Sequence, residues 1–142
     1  MMDSNLKRTI ILEHFQNPKN KGLIDDESYN KVNVNNESCI DEVNLMVKFD
    51  QDKISDIRFD GEACAICTSA TSIMIETLIG KTKEEAKIIL ENYANMIDEK
   101  DYDENILEQA IVYNDIAKQP NRKKCALLPW WGIEKLLKEL DK

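Results

Sequence analysis

The chain has no long hydrophobic run, no excess of positive charge, few cysteines and a single histidine, and each shortage narrows what it can do. Asp3 and Glu13 interrupt the opening MMDSNLKRTIILEHFQ, so the apolar core of a secretory signal is missing, and no other stretch is long enough to span a bilayer. A soluble, cytoplasmic protein without a membrane partner is expected. Lys and Arg number 19 against 27 Asp and Glu, and a net charge of -8 repels a phosphate backbone instead of releasing its counterions, which argues against nucleic acid. Four cysteines are too few for a disulfide-dense secreted scaffold, and a cytosolic compartment would keep them reduced. Metal binding or thiol chemistry is therefore the open question. Repeats, linkers and low-complexity tracts are also absent, and 142 residues are expected to form one domain, residues 1–142, burying roughly 70% of the unfolded surface.

Leu6, Ile10, Ile11 and Phe15 recur at helical spacing, and Asn17-Pro18 ends that pattern. The polar segment that follows leads to Val32 and Val34, which alternate as in a short strand. Val43, Leu45, Val47 and Phe49 then alternate with Asn44, Met46 and Lys48, and a DQDK tip returns the chain to Ile57 and Phe59, as in a β-hairpin. Residues 69–79 read as a helix closed by Gly80. Thr82 and Glu85 make a capping-box pair ahead of Ala86, Ile89, Leu90 and Tyr93. An acidic connection at 98–104 precedes a short helix at 106–113, and a last helix carries Trp130, Ile133, Leu136, Leu137 and Leu140. Strands early and helices late predict an α+β fold, a three-stranded antiparallel sheet packed against about five helices.

The cysteines fall where these elements meet. Cys39 lies in the loop NNESCID, Cys64 at or just before the helix containing Ser69, and Cys125 on the approach to the last helix. Unpaired N–H groups at a helix start favour a thiolate at Cys64, and Arg122, Lys123 and Lys124 favour one at Cys125. Three cysteines at junctions suit a zinc site assembled from separate loops. Asp41, two residues beyond Cys39, would point to the same side of an extended stretch. With 24 residues between Cys39 and Cys64 and 60 between Cys64 and Cys125, this is no compact zinc finger, and buried, inert cysteines are the alternative. Cys64 and Cys67 form a C-x-x-C, readable as half a zinc knuckle, a redox pair, or a buried Cys67 on the inner helix face. His14 reads as a solvated residue of the first helix, and Trp130 and Trp131 as core and cover.

The succession NPKNKG at 17–22, SCID at 38–41, GEACAIC at 61–67, TSIMIETLIGKT at 71–82 and RKKCALLPWWGI at 122–133 resembles the SufU/IscU family of iron-sulfur cluster assembly proteins, NifU-like in its N-terminal domain. Scaffolds of that family carry a histidine before the last cysteine and a shorter segment between the second and third. Lys124 and the longer segment here resemble the SufU branch instead. The resemblance implies a SufE/NifU-like fold and a zinc ion held by Cys39, Asp41, Cys64 and Cys125. It also implies that Cys39 accepts persulfide sulfur from a pyridoxal-phosphate-dependent cysteine desulfurase of SufS type, with Arg122 a contact for that partner. Sulfur would pass on to downstream cluster-assembly proteins, and a histidine of the desulfurase would replace Cys39 on zinc before transfer. Two alternatives stand beside this: a scaffold using the same cysteines, with iron or a transient iron-sulfur cluster as cofactor, and a zinc-stabilised regulatory adaptor. The chain departs from the family's glycines at Ile40 and Ala63, and from its serine at Cys67. The last change opens a ligand set of Cys64, Cys67 and Cys125.

Overall fold

A computed structural model describes residues 3–36 and 41–141. Helix α1 spans Ser4–Gln16, capped by Asp3, whose carboxylate accepts the Leu6 N–H at 2.8 Å. Strands β1 (Asn30–Asn35), β2 (Glu42–Asp50) and β3 (Lys53–Asp60) form an antiparallel sheet in that order, with Val32 opposite Leu45 and Leu45 opposite Phe59. Helices α2 (Ala65–Leu78), α3 (Lys83–Ile97) and α4 (Pro120–Leu140) follow, with 3-10 segments at Glu104–Ile106, Glu108–Tyr113 and Ile116–Lys118 between the last two. The architecture is the expected α+β one. The helix expected over 106–113 is 3-10, and Met46, which the alternation placed outside, is buried, with Lys31 and Arg58 as its cross-strand partners.

One apolar face of the sheet, Val32, Val43, Leu45, Val47, Ile57 and Phe59, joins α2, α3 and α4 in a single core cluster. Eleven of the 14 residues of α2 are buried, which makes it the central helix. Gly132 lets α4 lie directly on the sheet: a Cβ there would come within 2.6 Å of Leu45 Cδ1.

The start of α4 corrects the sequence reading. The last helix, expected to start after Cys125, opens instead at Pro120, which holds the first helical position, where a missing N–H costs nothing. Pro129 sits inside the helix, depriving the Cys125 carbonyl of its partner. The break is buttressed from α3. The Tyr93 ring stacks on Trp130 with centroids 3.9 Å apart, and its hydroxyl donates to the Ala126 carbonyl at 2.8 Å.

Candidate metal centre

The site forms where the start of β2, the start of α2 and the second turn of α4 converge. Gly61 brings the first two together. Its φ is +137°, and a Cβ would lie 2.1 Å from the Glu42 carbonyl oxygen, so only glycine lets the segment after β3 cross β2 this closely. The Glu42 N–H then donates to the Glu62 carbonyl at 2.7 Å, and the Asn36 N–H donates to the Asp41 carbonyl at 3.0 Å. Asp41 is thus fixed beside the N-terminus of α2.

Cys64 is the N-cap of α2, a position usually held by an oxygen-bearing side chain. Its sulfur accepts the Cys67 N–H at 3.4 Å, and its own N–H donates to Asp41 Oδ1 at 2.7 Å. Asp41 Oδ2 lies 3.6 Å from Cys64 Sγ. A carboxylate only 1% exposed needs partners, and these contacts supply them. Ala63, where a glycine was expected from the resemblance, is not among the left-handed residues, so its Cβ imposes no backbone strain.

Cys125 completes the group from α4. It is 6% exposed and lies within the helix, not on its approach, because α4 begins at Pro120. The expectation of a favoured anion there is corrected as well. Burial pushes the metal-free Cys125 thiol well above its ordinary range, reinforced by hydrogen bonds to Asp41 and Cys64. Arg122 and Lys124 are exposed, and among the described residues no ion pair involves them or Lys123.

The donor atoms of Asp41, Cys64 and Cys125 all lie within 4.8 Å of one another. Donor pairs around tetrahedral zinc are about 3.3–3.8 Å apart, so a small closure of this group would satisfy the ion. Two thiols with one buried carboxylate fit zinc chemically, with a fourth position left for a further donor. Cys39 and Ile40 lie outside the described residues. Cys67 does not belong to the group: it is fully buried in the core behind the first turn of α2, so the alternative set of Cys64, Cys67 and Cys125 is not brought together.

His14 differs from its expected solvated state. It sits between α1, α2 and the segment Glu108–Tyr113, with Nδ1 2.7 Å from Ser72 Oγ and Nε2 3.1 Å from Gln109 Oε1. Ser72 Oγ also accepts the Lys19 N–H at 2.8 Å. Sequence reasoning overlooked Gly61 too. A glycine directly after a strand that ends just ahead of a candidate ligand was the available signal.

The fold and this donor set define a class: small α+β proteins that gather thiols and a carboxylate from separate elements into one group able to hold a metal ion. Comparison with known proteins makes the class specific. Residues 6–126 match the family model of the NifU-like N-terminal domain, and the chain belongs to that family. It is 36% identical to the zinc-dependent sulfurtransferase SufU of Bacillus subtilis, over 92% of this chain and 88% of the relative. It is 34% identical to the iron-sulfur cluster assembly scaffold protein IscU of Streptococcus pyogenes, over 95% and 84%. Among solved structures, a candidate iron-sulfur cluster assembly scaffold for the SUF system from Fervidobacterium islandicum superimposes with a TM-score of 0.86 at 41% identity, covering 90% of this chain and 93% of that one.

Proposed function

We propose that this protein is a zinc-dependent sulfur acceptor of iron-sulfur cluster assembly, working in the cytoplasm with a pyridoxal-phosphate-dependent cysteine desulfurase of SufS type. Asp41, Cys64 and Cys125 would hold the metal together with Cys39. The observation that carries this reading is the convergence of a buried carboxylate and two thiols within 4.8 Å at the junction of three elements. Zinc, when bound there, would keep its cysteine ligands as thiolates and clip β2, α2 and α4 together. In the transfer itself, the Cys39 thiolate attacks the terminal sulfur of the desulfurase persulfide. The sulfur–sulfur bond breaks, the desulfurase cysteine departs as a thiolate, and Cys39 carries the persulfide. Exposed Arg122, on the first turn of α4, is the contact proposed for the desulfurase.

Mass spectrometry after incubation with desulfurase and cysteine tests this: the added sulfur is expected on Cys39, and an adduct on another cysteine with none on Cys39 would overturn it. The similarity to IscU proteins favours a second reading, a scaffold on which iron and sulfide assemble. Lys124, where the resemblance implies a histidine for a scaffold, weighs for the sulfur acceptor. Anaerobic reconstitution with iron, cysteine and desulfurase separates the two, since a scaffold retains iron and visible absorbance.

A further inference from the structure

The function proposed above leaves Cys67 without a task, although it stands three residues from Cys64 in the first turn of α2. Residues i and i+3 of a helical turn have Cα atoms about 5 Å apart, inside the window of about 4.4–6.8 Å that a disulfide requires. Cys64 is half-buried and reachable from solvent, whereas Cys67 is fully buried. The Cys67 N–H donates to Cys64 Sγ, so the outer sulfur already lies folded over the turn that carries the inner one.

We propose that Cys64 and Cys67 form a reversible disulfide when the protein meets a hydroperoxide, Cys64 attacking and Cys67 resolving. In the first step the Cys64 thiolate attacks one peroxide oxygen and the O–O bond breaks. The second oxygen leaves and takes a proton from water, and Cys64 becomes a sulfenic acid. Cys67 then gives up its proton and its sulfur attacks Cys64. The S–O bond breaks, and the hydroxide released combines with that proton as water. Two thiols lose two electrons and the peroxide gains them.

Cys125 also faces Cys64, but from a separate helix, α4, which Gly132 and Trp130 pack against the sheet and α3, whereas Cys67 shares one helical turn with Cys64. A Cys64–Cys67 bond would close within a single turn of α2. This disulfide requires no metal to form. Its consequence rests on the zinc reading: oxidised Cys64 can no longer serve as a thiolate ligand beside Asp41 and Cys125, so the same event would release the ion.

The test treats the full metal-free chain with hydrogen peroxide, blocks remaining thiols and maps the peptides by mass spectrometry. The peptide holding Cys64 and Cys67 is expected to lose two hydrogens, resist blocking, and regain both thiols with dithiothreitol. In Cys67→Ser and Cys67→Ala, Cys64 should instead advance to sulfinic acid, which dithiothreitol does not reverse. Wild-type Cys64 overoxidised while Cys67 stays blockable, or paired with Cys125 or Cys39, would overturn the proposal. A zinc-loaded sample run in parallel tests the metal reading separately. Slower oxidation of Cys64 is expected if it is a ligand, and equal rates would contradict that role while leaving the disulfide result intact.

Discussion

Replacing Gly61 with alanine perturbs the metal centre without touching a ligand. An alanine at φ +137° occupies backbone space nearly reserved for glycine, at a cost of about 1–3 kcal/mol. Its Cβ would also meet the Glu42 carbonyl oxygen at 2.1 Å and the carbonyl carbon at 3.0 Å. Both are backbone atoms, so relief requires moving the start of β2 or the segment leading to Cys64, a further ~1–3 kcal/mol of overpacking. A combined loss of about 2–6 kcal/mol would lower the melting temperature of a domain this size by roughly 6–18 °C. The same displacement separates Asp41 from the Cys64 N–H, and zinc affinity should fall by about 10- to 100-fold, as when a group supporting a metal ligand is lost. Thermal unfolding of metal-free protein and competition against a chromophoric chelator measure the two effects. Gly80→Ala is the control. Gly80 has φ +91° with no atom within 4 Å of an added Cβ, so only the backbone cost of ~1–2 kcal/mol applies. That corresponds to about 3–6 °C, with zinc affinity unchanged. Equal melting of the two variants, with zinc binding intact in both, would refute the argument that the crossing at Gly61 builds the site.

Tyr93→Phe removes the hydroxyl donated to the Ala126 carbonyl beside Pro129 and should cost about 1 kcal/mol in urea unfolding; an unchanged midpoint would show that the buttress contributes nothing. Tyr29 donates to Asp56 Oδ2 at 2.6 Å, and that bond foremost raises its pKa from 10.0 to about 12. The folded state therefore keeps a proton that the unfolded state loses, so stability from this pair is full below pH 10 and disappears as pH rises to about 12. The stability difference between wild type and Tyr29→Phe should close over that window, and a constant difference would contradict the assignment.

Elements whose apolar period matches their exposure pattern were legible in the sequence. The alternation of Val43, Leu45 and Val47 locates β2, and the Thr82–Glu85 capping box opens α3, with both reciprocal hydrogen bonds present. Segments governed by tertiary support were not. Pro129 reads as a boundary because local rules forbid it inside a helix, and only packing from Tyr93 and Trp130 shows why α4 runs through it. Residues 104–118 carry apolar side chains at nearly helical spacing, yet their backbone closes into 3-10 turns that still bury Leu107, Ala110 and Tyr113. At the site, Cys64 was read from the junction it occupies and Asp41 from its spacing after Cys39. The depth of Cys125 was not legible, because Arg122 and Lys124 beside it in sequence are exposed while its own thiol faces Asp41 and Cys64. The place of Gly61 directly after a strand is visible in the sequence, but its role exists only once β2 and the segment after β3 cross. His14 likewise depends on the fold, since its contact with Ser72 is made between α1 and α2.

The central claim is that residues from three separate elements share one metal ion with Cys39. Zinc content of the protein purified without added metal measures this most directly, in wild type and in Cys39→Ser, Asp41→Ala, Cys64→Ser, Cys125→Ser and Cys67→Ser. Stoichiometric zinc is expected in wild type and Cys67→Ser, with marked loss in the other four variants. Zinc retained at wild-type level and affinity by Cys64→Ser or Cys125→Ser, or lost from Cys67→Ser while that chain stays folded, would contradict the account.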